Sequence, residues 1–225
     1  MSTTSLTGRS VDGRLSATSG VLVRAKAPLR ISFAGGGTDL PHFYEKYRGA
    51  VLSSTINRYA HVTLYPRVDQ QIQIRSLDLG HTVRYSVHER PVYDGVMDLA
   101  KAAIQRVGAD SGMDLDVRME APRGSGLGGS SALTAAVLGA VASVNSRSFS
   151  LYDLAELNYT IERTDLKIEG GKQDQYATTF GGFNLLEFRS DRVVVTPLRV
   201  DPAVLNDLEA HLLLCYTGTV RPNLG

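Results

Sequence analysis

The sequence predicts one α+β domain over residues 21–225, preceded by a tail over residues 1–20, and three observations carry the prediction. Apolar residues alternate through the first third of the chain, recur at helical spacing in its middle, and alternate again after Phe183. No internal repeat or low-complexity linker divides the chain.

Residues Met1 to Gly20 are rich in Ser, Thr, Gly and Arg and hold no apolar segment, so they read as a flexible tail and not as a secretory signal. From Val21 to Val87 the pairs Leu29/Ile31, Val62/Leu64, Ile72/Ile74 and Val83/Tyr85 fall two residues apart and predict strands. Val96, Leu99, Ala100, Ala103, Ile104 and Val107 then share one helical face, with Gly108 as the stop. Leu115, Val117 and Met119 predict a short strand, followed by a Pro/Gly loop over residues 121–129 and an Ala-rich helix to Val144. Ser150 and Asp153 are placed to cap a second helix from Leu151. The remainder reads as strands, including Arg192 to Val195 and Leu212 to Tyr216, before a polar loop from Thr217 to Gly225 that leads toward a further element.

Composition excludes several functional classes. A net charge of +1, with Lys and Arg dispersed, offers no footprint for nucleic acid or an anionic membrane. The longest weakly polar stretch, Ala132 to Val144, is shorter than the about 20 residues that a membrane span needs. Cys215 is the single cysteine and sits in an apolar stretch, so neither a disulfide framework nor a thiolate metal site is expected, and a cytoplasmic setting follows. The 5 histidines show no metal-ligand spacing.

The strongest chemical signal is Pro122 to Ala132, PRGSGLGGSSA, between a strand and a helix. A helix N-terminus there presents unpaired N–H groups and partial positive charge to a phosphate. Gly124, Gly126, Gly128 and Gly129 allow close backbone approach, while Ser125, Leu127 and Pro122 complete the loop and Ser130 and Ser131 add hydroxyls. No Lys follows the last glycine, which excludes a Walker-type loop. Gly124, Gly126 and Gly129 satisfy GxGxxG, but the next element is a helix where a dinucleotide fold requires a strand. The motif GxSxG of a serine hydrolase is missing.

A triphosphate on that loop needs a cation and a carboxylate to hold it. Glu162 and Asp165 lie three apart on the next helix, so one of them can face a metal held by Ser131. Asp174 follows the Gly170–Gly171 turn. Upstream, ISFAGGGTD ends a strand in Gly35, Gly36 and Gly37, followed by Thr38 and Asp39, which suits close approach to a polyhydroxylated ligand. Arg67, Arg163 and Lys172 are candidate phosphate contacts, with surface solubility as the competing explanation.

These segments together resemble the GHMP kinases, the family of galactokinase, homoserine kinase, mevalonate kinase and phosphomevalonate kinase. APLRISFAGGGTD resembles the family's first motif, PRGSGLGGSSA its ATP loop, and Glu162 to Gln175 its acidic helix and catalytic aspartate. The likeness runs from Val23 to Arg221 and is strongest to bacterial D-glycero-D-manno-heptose 7-phosphate kinases, through AGGGTDLPHFYEKYRG, GGKQDQYATTFGGFNLLEF and YTGTVR. The resemblance implies an N-terminal kinase domain with a left-handed β-α-β unit, and a chain that lacks most of a C-terminal part. It implies ATP and Mg2+ as cofactors and phosphorylation of the anomeric hydroxyl of a heptose 7-phosphate for surface-glycan precursors. By resemblance, Asp174 orients the acceptor proton, Arg30 stabilises the transferring group, Ser131 and Glu162 hold the metal, and Asp39 binds sugar hydroxyls. The implied partner is a small-molecule sugar or sugar phosphate, with room for a homodimer.

Two departures stand out. Galactokinase-like members carry Glu and His where this chain has Gly36 and Gly37, and Gly129 replaces a common Ser. The alternatives are another sugar kinase of galactokinase type, or a sensor of sugar or nucleotide on the same fold; retention of Arg30, Ser131, Glu162 and Asp174 favours an enzyme.

Overall fold

The computed structural model describes residues 22–213 and Cys215. The tail over residues 1–20, the loop from Thr217 and the YTGTVR segment lie outside the described residues. The sheet is organised by two long antiparallel strands, β1 (Val23–Ala34) and β2 (Gly49–Pro66), in register from Val23↔Leu64 to Ala34↔Leu52. One edge of β2 carries β1. Its other edge is shared end to end by β5 (Met113–Met119), opposite residues 60–66, and β6 (Phe183–Phe188), opposite residues 49–54. β3 (Gln71–Ser76), β4 (Thr82–Ser86) and β7 (Val193–Pro197) complete the order β4-β3-β5-β2-β6-β7. The β3–β5 pair is the parallel one among the described strands, and β4 and a helix α2 (Asp98–Val107) lie between its members in sequence.

β2 is irregular in its middle. The ladder with β1 shifts register beyond Pro28, which has no N–H to give. As a result the buried positions of β2 change from odd (Gly49, Val51, Ser53) to even (Ala60, Val62, Leu64). In the break between β5 and β6, Glu120 accepts from the Tyr59 N–H at 2.9 Å and contacts His61 Nε2 at 3.0 Å.

The helices were expected in part. α2 ends at Gly108, whose φ of 85° suits a glycine stop. α3 (Gly129–Val144) buries Ala, Val and Leu on most of its circumference in the main core, against β1, β2 and α2. α4 (Leu151–Thr160) opens with the expected capping box: Ser150 accepts from the Asp153 N–H and Asp153 from the Ser150 N–H. Three helices lie where none was predicted: α1 (Pro41–Tyr47), α5 (Gln173–Phe180) and α6 (Pro202–His211). The strand expected from Leu212 is absent at Leu212, Leu213 and Cys215, and Cys215 is exposed. None of the described helices is long and apolar enough to cross a membrane.

Candidate active site

Five short pieces of chain converge at one end of α3. The loop before it turns through left-handed glycines in alternation, with φ of 73°, 73° and 74° at Gly124, Gly126 and Gly128. That conformation costs other L-residues roughly 1–2 kcal/mol each, and it folds the loop back against β1. There the Arg30 N–H donates to the Leu127 carbonyl at 2.9 Å, and the Arg30 Nη1 donates to the Gly126 carbonyl at 2.7 Å. The guanidinium also holds Asp174 Oδ1, from Nε at 2.7 Å and Nη2 at 2.5 Å. Arg30 is thus a buried cation joining the glycine loop to the first turn of α5. Gly128 covers the pair: a Cβ there would lie 3.2 Å from Arg30 Cγ and 3.6 Å from Asp174 Cγ.

One turn into α3, the buried Ser131 hydroxyl donates to Glu162 Oε1 at 2.5 Å. α4 runs on into a π turn, Ile161–Asp165, in which Leu166 N–H reaches back to Ile161 O, and this wider turn places Glu162 inside the molecule. Burial pushes the Glu162 carboxyl above the usual glutamate value, and the Asp174 charge adds to this. The Ser131 hydroxyl and Arg163 oppose the rise. Asn158, one helical turn before Glu162, donates to the Ser131 carbonyl at 2.8 Å.

The glycine-rich end of β1 is built differently. A Cβ at Gly35 would fall 1.9 Å from the Ala50 carbonyl oxygen, whereas at Gly36 or Gly37 it would meet nothing within 4 Å. The Thr38 hydroxyl is committed to backbone, donating to Gly35 O at 2.7 Å and accepting from Ala50 N–H at 3.0 Å. Asp39 is buried and accepts from the Gln173 N–H at 3.0 Å. Gly171 permits that contact, because a Cβ there would lie 1.9 Å from Asp39 Oδ2.

Among the described residues no group of three or more His, Cys, Asp or Glu side chains could hold a metal ion alone. Ser131 and Glu162 supply one hydroxyl and one carboxylate just after the glycine loop. Such a donor set fits Mg2+, which keeps water and takes phosphate oxygens for the rest of its shell. The loop glycines, the α3 N-terminus and Arg30 fit a nucleotide triphosphate.

Residues 94–182, which include the loop, Glu162 and Asp174, match the family model for the GHMP kinases N terminal domain. The chain carries a GHMP kinase N-terminal domain. The D-glycero-alpha-D-manno-heptose 7-phosphate kinase of Campylobacter jejuni is 42% identical over 205 residues, which cover 88% of this chain and 60% of that protein. A crystal structure of a D-glycero-D-manno-heptose 1-phosphate kinase from Bacteroides thetaiotaomicron superposes with a TM-score of 0.80 at 36% identity, covering 84% of this chain and 64% of that one. The galactokinase of Lactococcus lactis, solved with galactose, shares the fold at a TM-score of 0.69 and 22% identity, covering 80% of this chain and 48% of that one. The chain therefore spans about 60% of the length of the curated heptose-phosphate kinase it matches.

Within the GHMP domain several expected contacts are corrected. Asp165 does not face Ser131; the π turn sends it outward to Arg106, whose Nε donates to it at 2.7 Å. Arg67 lies beyond the far end of β2 from the glycine loop, bonded to Asp69 and Asp114, so it has no place at this site. Arg163 serves the backbone, donating to Ile168 O at 2.8 Å and Gly171 O at 2.9 Å, and it contacts Glu162 at 3.2 Å. Lys172 pairs with Glu156 at 2.8 Å. The sequence reading assigned no role to Asn158. Its spacing of four residues from Glu162 was the available signal, since such residues share a helix face.

Proposed function

We propose that this GHMP domain binds ATP with Mg2+ and phosphorylates a sugar phosphate, D-glycero-D-manno-heptose 7-phosphate, at its anomeric hydroxyl. One observation carries the reading: Arg30 touches both the Gly126 carbonyl of the phosphate loop and the Asp174 carboxylate, so donor phosphate and acceptor base share one location.

The division of labour follows from the geometry. N–H groups of the loop and the α3 N-terminus bind the phosphates, and bound Mg2+ would neutralise charge that develops on them. Ser131 and Glu162 would hold that ion. Asp174 Oδ1 is occupied by Arg30, while Oδ2 carries no hydrogen bond among the described residues and is free to receive the acceptor hydroxyl proton. Arg30 keeps Asp174 oriented and adds positive charge beside the transferring group. Positioning and electrostatic stabilisation of this kind supply most of the acceleration in phosphoryl transfer. The heptose assignment is supported by the Campylobacter relative and by open space at Gly36 and Gly37, where a bulky or anionic substituent meets no carboxylate.

The test is product identity. Incubation with ATP, Mg2+ and heptose 7-phosphate should produce a new anomeric phosphate resonance in 31P NMR and equimolar ADP. ADP without a new sugar phosphate signal would mean hydrolysis and contradict the proposal.

A further inference from the structure

Asp174 is flanked in sequence by Lys172 and Tyr176, and the side chains of both reach one atom, Glu156 Oε1 on α4. Lys172 Nζ donates to it at 2.8 Å, and the Tyr176 hydroxyl donates to it as well. Residues two apart on a helix point about 200° from one another, so these side chains leave the first turn of α5 on the side opposite Asp174. Asp174 itself faces Arg30. That turn is therefore held from both sides, by Arg30 through the Asp174 carboxylate and by Glu156 through its neighbours. A third hold comes from Asp39, whose carbonyl accepts from the Lys172 N–H at 3.2 Å and whose Oδ2 accepts from the Gln173 N–H at 3.0 Å.

The parts of the Glu156 contact differ in burial. Tyr176 is 1% exposed, with its ring stacked on Phe180 and edge-on to Tyr152. The Lys172 ammonium lies over the Tyr159 ring, 4.7 Å from its centre. The Glu156 side chain is 45% exposed, and an ion pair so open to water adds little to stability. What two charge-assisted bonds to one oxygen fix is direction. α4 is also the element that runs on into the π turn and Glu162. Glu156 thus sets where the turn carrying Asp174 lies relative to the carboxylate beyond the end of α4.

We infer, resting on the kinase reading above, that Glu156 is a positioning residue for phosphoryl transfer: through Lys172 and Tyr176 it holds the first turn of α5 so that Asp174 presents Oδ2 to the acceptor hydroxyl. Glu156 acts through α5 and does not touch the reacting atoms.

Glu156→Ala removes both bonds at a half-exposed position, so the fold is retained. Steady-state kinetics with ATP, Mg2+ and heptose 7-phosphate should show kcat lowered by about tenfold to hundredfold, the scale of a misplaced catalytic group, with the KM of both substrates unchanged. Tyr176→Phe keeps the ring and should lower kcat by less; added to Glu156→Ala it should cost nothing more, because the two act through one bond. A merely structural role would raise KM along with the loss of kcat, or make the two losses multiply. Either result, or an unchanged kcat in Glu156→Ala, would overturn the inference. A second readout is independent of turnover: in Glu156→Ala without ligand, amide hydrogen exchange over residues 172–176 should quicken at least about tenfold while exchange in α3 stays as it was. Unchanged exchange over those residues would equally overturn it. If the unaltered protein transfers no phosphoryl group, the kinase reading falls and this inference falls with it, whatever the exchange shows.

Discussion

Arg30 is held between two groups that are both distant from it in sequence, donating to the Gly126 carbonyl, 96 positions later, and to Asp174, 144 positions later. The ion pair is partly buried, so its removal leaves a carboxylate with less support and a loop carbonyl without a donor. Arg30→Met should therefore lower turnover by about 10²–10³, as removal of a stabilising donor does, and also weaken ATP binding. Lys at this position could not bridge both partners with one ammonium, so Arg30→Lys should recover little. Steady-state kinetics on both variants checks this, and full activity in Arg30→Lys would contradict it.

Burial is the chief reason that the Glu162 carboxyl titrates above its usual value. Over the window between the unfolded and the raised folded value, the folded protein keeps a proton that the unfolded chain has lost, so stability falls as pH rises. Glu162→Gln removes this contribution. As pH rises above the ordinary glutamate range, the Tm of ligand-free Glu162→Gln should decline less than that of the unaltered protein, while Mg2+ no longer strengthens ATP binding. Thermal denaturation across that range supplies the check.

Glycines near the acceptor end should respond in opposite ways. Gly171→Ala places a Cβ 1.9 Å from Asp39 Oδ2, and should destabilise by about 1–3 kcal/mol, the range for an overpacked site. Gly36→Glu enters open space, so denaturant unfolding should find it within about 0.5 kcal/mol of the parent. In activity the second substitution should weaken a sugar phosphate more than a neutral sugar. Equal loss for both would remove the role given to the gap.

Ser150→Ala deletes the side-chain half of the α4 capping box. A loss of about 1 kcal/mol is expected, with the KM for ATP unchanged, because the cap lies at the opposite end of the helix from Glu162.

What was legible in the sequence was what local chemistry dictates. Glycine and serine composition marked the phosphate loop, Ser150 and Asp153 marked the start of α4, and alternation marked β1 to β5. The less legible features depend on long-range contact. α1 has 7 residues, too few turns to establish a periodicity, and α6 buries none of its residues, so neither shows an apolar face. The first turn of α5 reads as polar because Gln173 and Asp174 face partners from β1 and the segment after it, which no local pattern announces. Asp165 was equated with Glu162 because an α-helix puts residues three apart on one face; the π turn breaks that rule.

The most direct test of the account is ADP release from ATP and Mg2+ across neutral hexoses, heptoses and their phosphates, with Asp174→Asn as the control. The account predicts release with D-glycero-D-manno-heptose 7-phosphate, and a drop of about 10²–10⁴ in Asp174→Asn without loss of ATP binding. Undiminished release in Asp174→Asn, or a preference for neutral sugars over the heptose phosphate, would contradict it.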